Sequence, residues 1–323
     1  MEEAIKIIFL GTPEFAVDSL SALLHKGYHI SAVVTVPDQP AGRSLALQSS
    51  PVKKYALQNG LKVLQPLKLK DPDFINELKS IPADLFIVVA FRMLPEIVWK
   101  MPRLGTFNLH ASLLPQYRGA APINHVIING ESETGLTTFF LKQEIDTGEI
   151  IFQEKIKIHP DETAGELHDN MKIAGAALVQ KTVEAISRGN LKTIEQRKLV
   201  DPAIPLKTAP KIFREDCQID WTKNTDEVYN KIRGLSPYPA AFTHLTSPAG
   251  ESFLVKIFST TKSLANTPHH PSKLITDGKS GLAVSTADGV LHIREIQQAG
   301  KRIMKIDEFL RGFRVNSDWN VGQ

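Results

Sequence analysis

Three predominantly apolar runs of strand length most strongly constrain how this chain folds: Ile5–Leu10, Ile30–Val36 and Leu85–Ala90. Runs without strict alternation are typical of strands that are covered on both faces, as in parallel sheets. The first run ends at Gly11, and Thr12-Pro13-Glu14 follows as a helix N-cap, a first-turn proline and a first-turn acid. A strand, a helix and a strand in this order predict a doubly wound, Rossmann-like α/β domain with a parallel sheet.

Polar residues suited to catalysis stand at the end of the next predicted strand. Strand side chains alternate between faces, so Asn108 and His110 point to the same side. A predicted helix at 123–129 and a return strand at 136–141 then bring Asp146 back toward this strand end. Ligands of parallel sheets bind beyond the carboxyl ends of the strands, so we expect an Asn, a His and an Asp to share one site there.

These three residue types suit the attack of an amine on a carbonyl-level carbon. The tetrahedral intermediate needs a hydrogen-bond donor for its oxyanion, and Asn108 or His110 supplies one. The attacking nitrogen must lose a proton, which a neutral imidazole accepts. A carboxylate such as Asp146, bonded to the other ring nitrogen, fixes the tautomer and raises the basicity of the ring. No serine or cysteine nucleophile is required, so the pattern favours direct transfer between two bound substrates.

Five motifs carry a resemblance to a known enzyme family. They are Asn108-Leu109-His110-Ala111-Ser112-Leu113-Leu114-Pro115, Tyr117-Arg118-Gly119-Ala120-Ala121-Pro122, Asp146-Thr147-Gly148, Phe9-Leu10-Gly11-Thr12-Pro13-Glu14-Phe15-Ala16 and Pro37-Asp38-Gln39-Pro40-Ala41-Gly42-Arg43. The chain resembles the folate-dependent formyltransferases, and more closely those members that act on charged tRNA. The resemblance implies that a formyl group passes from 10-formyltetrahydrofolate to the α-amino group of initiator methionyl-tRNA. It also implies that Asn108, His110 and Asp146 are the catalytic residues.

The resemblance further implies a binding pocket for the folate donor. Four of the implied residues follow the third apolar run and line the pterin pocket: Phe91, Arg92, Met93 and Leu94. Four more belong to the first motif: Ser112, Leu113, Leu114 and Pro115. The alternative for residues 91–94 is a simple strand-to-helix turn. A dinucleotide cofactor is not expected, because Gly11 stands alone and lacks the spaced glycines that admit a pyrophosphate.

Two regions are predicted to contact tRNA. The loop Val36–Pro51 shows no clear periodicity, and by resemblance it inserts into the acceptor stem, which makes Arg43 a candidate contact. The alternative for Arg43 is a solvated surface arginine. The basic surplus of the chain, which has a net charge of +3, lies entirely from Lys211 onward. The basic residues assigned to tRNA there are Lys211, Lys301, Arg302 and Lys305. The last three form a basic cluster with Arg311 and Arg314. A solvated surface is again the alternative.

The length of 323 residues fits two domains rather than one core. We predict a catalytic domain at 1–200, a linker at 201–210 that contains three prolines, and a second domain at 211–323. Short strands are predicted in the second domain at 242–245, 253–259, 281–285 and 290–296. Short strands separated by turn residues predict a small barrel, and the resemblance implies an OB-like β-barrel.

Several classes of protein and site are excluded by composition. The single Cys217 cannot form an intramolecular disulfide, and no apolar run approaches the length of a membrane span. No metal is expected, because the adjacent His168 and Asp169 face different directions on a helix. The acidic N-terminus does not fit a signal peptide, so we expect a cytoplasmic protein, and we expect it to be a monomer.

Related activities remain as alternatives at this stage. Enzymes that formylate UDP-amino sugars and formyltetrahydrofolate hydrolases share both domain types with the expected enzyme. A glycinamide ribonucleotide enzyme would end near residue 200, so the second domain argues against it. A tRNA-binding module without catalysis is also an alternative, but it has no need of Asn108, His110 and Asp146.

Overall fold

The structure of the protein is a computed structural model, which describes residues 5–41, 46–189, 191–264 and 270–322. Its residues group into two compact units that are not contiguous in sequence. The first consists of Met1–Gly119, Thr134–Lys157 and His168–Thr208. The second consists of Ala120–Glu133, Ile158–Leu167 and Ala209–Gln323. Two segments that precede residue 200 are therefore grouped with the C-terminal residues.

The first 200 residues contain ten strands and six helices within the described ranges. The strands are β1 (Lys6–Gly11), β2 (His29–Val34), β3 (Gln39–Ala41), β4 (Ala46–Gln48), β5 (Val63–Leu64), β6 (Leu85–Val89), β7 (Thr106–His110), β8 (Arg118–Gly119), β9 (Glu133–Phe140) and β10 (Ile150–Lys157). The helices are α1 (Glu14–His25), α2 (Pro51–Gln58), α3 (Pro72–Ser80), α4 (Glu96–Trp99), α5 (Pro122–Ile128) and α6 (Ala164–Ser187).

The rest of the chain is mostly β-structure. Its strands are β11 (Thr208–Ala209), β12 (Ala241–Thr246), β13 (Ser252–Leu264), β14 (Leu274–Thr276), β15 (Leu282–Ser285), β16 (Gly289–Gln298), β17 (Met304–Lys305) and β18 (Asn320–Val321). Its α-helices are α7 (Thr225–Leu235) and α8 (Ile306–Gly312). Two 3₁₀ turns are formed by Gln196–Leu199 and Glu215–Cys217.

The first unit is built on a seven-stranded sheet in the order β10-β9-β7-β6-β1-β2-β5. Strands β5, β2, β1, β6 and β7 are parallel, so their carboxyl ends lie along one edge. The doubly wound fold is confirmed, although the sheet is mixed rather than wholly parallel, because β9 runs antiparallel to β7. The strand order reverses between β1 and β6, which is where ligands bind in such sheets.

The central strands of this sheet are buried, as the apolar runs predict. Every residue of β6 is buried, and Ile7 to Leu10 of β1 are fully buried. Helix α1 covers one face with Ala16, Leu20 and Leu23, which are fully buried. The predicted helix start was wrong by one residue, because the N-cap is Pro13 and the Thr12 hydroxyl makes no capping bond.

The loop that follows the second apolar run has structure that the sequence pattern did not indicate. Strands β3 and β4 pair antiparallel within Val36–Pro51, with Gln39 opposite Gln48. Three-residue strands are too short to show a hydrophobic period, and Pro40 argues against a strand by composition. Arg43, the predicted tRNA contact of this loop, lies outside the described residues.

The second unit is a nearly closed antiparallel barrel. Its sheet has the order β14-β15-β16-β13-β12-β18, with β17 paired to β16. A bridge between Lys273 and Asn320 links the two ends of this order and nearly closes the sheet. The barrel encloses a core that includes Trp221, Val255 and Leu291, so the predicted barrel is confirmed. Across the described residues of both units, no helix is long and apolar enough to cross a membrane.

Candidate active site

The end of β7 carries the predicted catalytic residues on one face. Phe107 and Leu109 are buried among apolar side chains, whereas Asn108 is half-buried and lies opposite Phe139 in the register of β7 and β9. His110 lies opposite Thr137 and is 6% exposed. The alternation predicted from the sequence therefore holds, and it places Asn108 and His110 together at the carboxyl edge of the sheet.

The proton of the His110 ring is fixed by a backbone carbonyl. His110 Nε2 lies 2.9 Å from the carbonyl oxygen of Tyr117, which can only accept a hydrogen bond. In the neutral ring Nε2 therefore carries the proton, and Nδ1 holds the free lone pair. His110 Nδ1 lies 3.8 Å from Asp146 Oδ2, longer than a hydrogen bond. Tyr117, rather than Asp146, thus sets the tautomer in this structure.

Asp146 is held from two sides close to the free ring nitrogen. Its Oδ2 accepts a hydrogen bond of 3.1 Å from the Gly119 backbone N–H, and its side chain is 13% exposed. Its backbone oxygen accepts a bond of 2.8 Å from Gln196 Nε2. A single hydrogen-bond donor, such as an amino group, could therefore bond to both Asp146 Oδ2 and His110 Nδ1, which lie 3.8 Å apart.

Strained backbone conformations concentrate around this site. Three non-glycine residues of the unit have left-handed φ angles: Ala90 at 48°, Tyr117 at 59° and Asp146 at 54°. Such residues cost about 1–3 kcal/mol each and persist only where the surrounding structure holds them in place. Ala90 follows β6, Tyr117 is bonded to His110, and Asp146 faces the ring, so all three lie near the predicted site.

The loop of residues 111–117 after β7, called the signature loop here, is held by hydrogen bonds within the protein. Ser112 is fully buried, and its hydroxyl donates to the carbonyl of Gln116 at 2.6 Å. The Thr137 hydroxyl donates to the Ser112 carbonyl at 2.6 Å and accepts from the Leu114 N–H at 3.2 Å. Leu114 and Pro115 are buried, and Leu113 is half-buried. The side chains of Ser112 and Leu114 therefore support the loop.

The loop after β6 shows three different environments for the predicted pterin residues. Arg92 donates to the carbonyls of Pro66 at 2.8 Å and Leu67 at 3.1 Å, and its guanidinium lies over the Phe91 ring. Partial burial lowers the pKa of the Arg92 guanidinium from its ordinary value. Leu94 is buried in the core, whereas Met93 is 75% exposed. The side chains of Arg92 and Leu94 are therefore engaged within the protein, whereas that of Met93 is exposed.

Comparison with known proteins decides between the related activities. The family model for formyl transferase matches residues 5–183, and that for the formyl transferase C-terminal domain matches residues 211–314. The chain is 52% identical over 320 residues to the methionyl-tRNA formyltransferase of Bacteroides fragilis strain ATCC 25285, covering 99% of this chain and 98% of that one. Its identity to the methionyl-tRNA formyltransferase of Bacteroides thetaiotaomicron is 50% over 320 residues, covering 99% of both chains.

The chain belongs to the methionyl-tRNA formyltransferase family. This confirms the resemblance, and the protein is an enzyme that formylates methionyl-tRNA. Family membership makes a formyltetrahydrofolate its formyl donor. A crystal structure of an N-formyltransferase from Helicobacter canadensis aligns with a TM-score of 0.63 at 23% identity, covering 91% of this chain and 99% of that one. At this identity the likeness shows a shared fold alone.

The basic residues predicted to contact tRNA have different environments in this formyltransferase. Arg302 forms an ion pair with Glu308, and Arg311 pairs with Asp307 at 3.4 Å. The Lys211 ammonium lies 5.3 Å from the Phe213 ring centroid. Lys301 and Lys305 are exposed. Arg302 and Arg311 are therefore each paired with an acidic residue of α8.

Three residues that hold His110 or Asp146 in place were missed by sequence reasoning. Tyr117 and Gly119 act through backbone groups, which leave no chemical signature in a sequence, although both fall in a quoted motif. Gln196 is 3% exposed and follows α6 without any local pattern that marks it. Among the described residues, no group of three or more His, Cys, Asp and Glu is placed to hold a metal ion.

Proposed function

We propose that this enzyme transfers the formyl group of 10-formyltetrahydrofolate to the α-amino group of methionine on initiator tRNA, at the site of Asn108, His110 and Asp146. The observation that carries the proposal is the His110 ring, with Nε2 bonded to the Tyr117 carbonyl and Nδ1 facing Asp146 across 3.8 Å. This arrangement presents one free basic nitrogen beside a carboxylate, at the sheet edge where ligands bind.

The reaction is a direct acyl transfer between two substrates. The amino nitrogen attacks the formyl carbon, and His110 Nδ1 accepts the proton that the nitrogen loses. Asp146 stabilises the imidazolium that forms. Asn108, on the same face of β7, donates to the oxyanion of the tetrahedral intermediate. The bond between the formyl carbon and the folate nitrogen then breaks, and the proton passes from the imidazolium to that nitrogen.

The folate is proposed to bind across the carboxyl ends of β1 and β6. The sheet order reverses there, and the left-handed Ala90 turns the chain into the loop of residues 91–94. Arg92 is bonded to two carbonyls and Leu94 lies in the core, so the backbone groups of Phe91 to Leu94 are proposed to read the pterin ring. Leu113 of the signature loop is half-buried and is proposed to contact the folate as well.

The tRNA is proposed to contact both the loop that carries Arg43 and the basic residues of the C-terminal part. The phosphate contacts proposed there are Lys211, Lys301, Arg302 and Lys305. Arg43 serves recognition of the acceptor end more than affinity, so Arg43→Ala should lower formylation and discrimination more than overall binding. The same proposal includes three further points. The chain divides into a catalytic domain at 1–200, a linker at 201–210 and a second domain at 211–323. The protein is a monomer, and it is located in the cytoplasm, where charged tRNA is used.

A competition of acceptors tests the proposed function. The enzyme is incubated with 10-formyltetrahydrofolate and, in separate reactions, methionyl initiator tRNA, methionyl elongator tRNA or a UDP-amino sugar. We expect the initiator tRNA to be formylated fastest and the amino sugar to remain unformylated. Equal rates with both tRNAs would contradict initiator selectivity, and formylation of the sugar would contradict the assigned acceptor.

A further inference from the structure

Gln196 forms a buried link between two segments of the active site. Its Nε2 donates to the backbone oxygens of Asp146 at 2.8 Å and Gly148 at 2.9 Å. Its Oε1 accepts from Arg118 Nε at 3.1 Å and Arg118 Nη2 at 2.6 Å. The residue is 3% exposed. The full hydrogen-bonding capacity of one amide group is therefore used within the site.

The chemistry of the partners fixes the orientation of this amide. Carbonyl oxygens only accept hydrogen bonds and a guanidinium only donates them, so the amide nitrogen must face Asp146 and Gly148. A flipped amide would set an oxygen against two oxygens and an NH₂ against Arg118. Gln196 thus has a single satisfied arrangement, which holds both segments at defined separations.

The two linked segments are the ones that hold the catalytic pair. Within residues 117–119, the Tyr117 carbonyl binds His110 Nε2, and the Gly119 N–H binds Asp146 Oδ2. Arg118, between them, is bonded to Gln196. Asp146 itself is in a left-handed conformation with φ of 54°, which its surroundings must maintain. Gln196 contacts both sides of this arrangement while touching neither the His110 ring nor the carboxylate.

The residues just before Gln196 form their own hydrogen bonds to the segment that follows Asp146. Ile194 and Ile150 exchange two backbone hydrogen bonds of 2.8 and 2.9 Å. The Thr193 hydroxyl donates to Glu149 Oε2 at 2.5 Å, and this bond lowers the pKa of the Glu149 carboxyl. The segment 193–196 is therefore anchored without Gln196, so loss of its amide should disturb Asp146 without releasing the segment.

From this geometry we infer that Gln196 is a positioning residue for catalysis, which holds the Asp146 carboxylate at its place beside His110 Nδ1. The inference rests on the proposed catalytic role of Asp146. Without the two bonds from Gln196 Nε2, the left-handed turn at Asp146 relaxes and the carboxylate moves away from the ring. The effect should appear in the chemical step rather than in substrate binding.

Two variants of Gln196 test this inference in the full-length enzyme. Gln196→Leu removes all four hydrogen bonds at similar volume, whereas Gln196→Glu keeps the acceptor for Arg118 and loses both donors. Both should lower kcat by on the order of 10- to 100-fold, the scale of displacing a catalytic group by about 1 Å. The KM values for folate and tRNA should stay within about threefold. Wild-type kcat in a folded Gln196→Glu variant would overturn the inference.

A matched control comes from the same segment. Thr193→Val removes the bond to Glu149 but leaves the backbone pairing of Ile194 with Ile150 intact. It should lower the melting temperature while kcat stays close to wild type. If Thr193→Val and Gln196→Leu lower kcat equally, Gln196 contributes only to the stability of the segment and the inference fails.

A double-mutant cycle with Asp146→Ala separates this inference from the proposed function. If Gln196 acts through Asp146, then Gln196→Leu adds less than about twofold to the loss in the Asp146→Ala background. Multiplicative losses would contradict the inference and leave the role of Asp146 intact. A near-normal rate for Asp146→Ala alone would instead contradict the proposed function.

Discussion

At the residue scale, the site depends on which nitrogen of His110 carries the proton. The Tyr117 carbonyl at 2.9 Å from Nε2 leaves Nδ1 as the basic atom, and Asp146 stands 3.8 Å beyond it. A side-chain pattern predicted that an Asn, a His and an Asp would meet. It could not predict the partner of Nε2, because that partner is a backbone oxygen seven residues away.

The tautomer of His110 is open to direct measurement. In enzyme labelled with ¹⁵N at histidine, and at a pH where the ring is neutral, the Nε2-protonated tautomer should dominate, because only Nε2 has an acceptor within hydrogen-bond distance. The ring nitrogen chemical shifts and their couplings to the ring protons report this state. A ring protonated at Nδ1 would contradict the assignment of Nδ1 as the base.

Gly148 provides a second prediction at this scale. A Cβ at this position would lie 1.5 Å from the Phe140 carbonyl oxygen, so Gly148→Ala must shift the loop that carries Asp146. We expect kcat to fall by about tenfold or more. Gly312→Ala, where an added Cβ meets nothing within 4 Å, is the matched control and should keep the wild-type rate. Equal rates in the two variants would contradict this account of the loop.

At the element scale, the sequence predicted the apolar core strands well and the three-residue strands of the loop at 36–51 poorly. The apolar runs became β1, β2 and β6, and the alternation in β7 placed Asn108 and His110 correctly. Strands β3 and β4 were missed because three residues carry no period. Gln196 was missed for a different reason. It reaches Asp146 from 50 residues away, and no local pattern encodes such a contact.

The junction of β1 and β6 contains a carboxylate whose effect should depend on pH. Asp84 accepts from the Lys6 backbone N–H at 2.9 Å and from Arg103 at 2.7 Å, and these bonds lower its pKa. A carboxyl whose folded pKa is depressed stabilises the fold above its unfolded pKa of about 3.9, and this contribution is lost as the pH falls through the folded pKa.

Asp84→Asn should therefore lower the free energy of unfolding by about 1 kcal/mol at pH 7. The difference between variant and wild type should shrink as the pH is lowered below about 4, because protonation also neutralises the wild-type carboxyl. Urea denaturation of both proteins at pH 7 and pH 3 measures this. A difference that is equal or larger at pH 3 would mean that Asp84 acts through packing.

At the scale of the whole molecule, the grouping of residues affects how the role of the C-terminal part can be tested. Helix α5 belongs with α7 in the second unit, and Asn124 Nδ2 donates to the Gly234 carbonyl at 2.7 Å. An added Cβ at Gly234 would lie 2.6 Å from Ile128, which shows how closely the two helices approach. A cut after residue 201 would therefore expose the contact face of α5, so charge variants of the full chain are the cleaner test.

Salt dependence measures the role of the basic cluster. The double variant Lys301→Ala/Lys305→Ala should bind initiator and elongator tRNA more weakly, and to an equal extent. The slope of log affinity against log salt concentration should fall by about 0.9 per lost phosphate contact. Arg302→Ala should have a smaller effect, because Arg302 is paired with Glu308. Lys279→Ala, an exposed lysine of the same unit outside the cluster, is the control. An unchanged slope in the double variant would place the tRNA on another face.

Asn108, His110 and Asp146 are proposed to act as one catalytic unit for formyl transfer. The direct measurement is the single-turnover formylation rate of methionyl initiator tRNA by Asn108→Ala, His110→Ala, Asp146→Ala and the triple variant, at saturating 10-formyltetrahydrofolate. Each single variant should lose at least about two orders of magnitude, and the triple variant should lose little more than the worst single one. A near-normal rate in any one variant would remove that residue from the mechanism, and multiplicative losses would contradict the claim that the three act together.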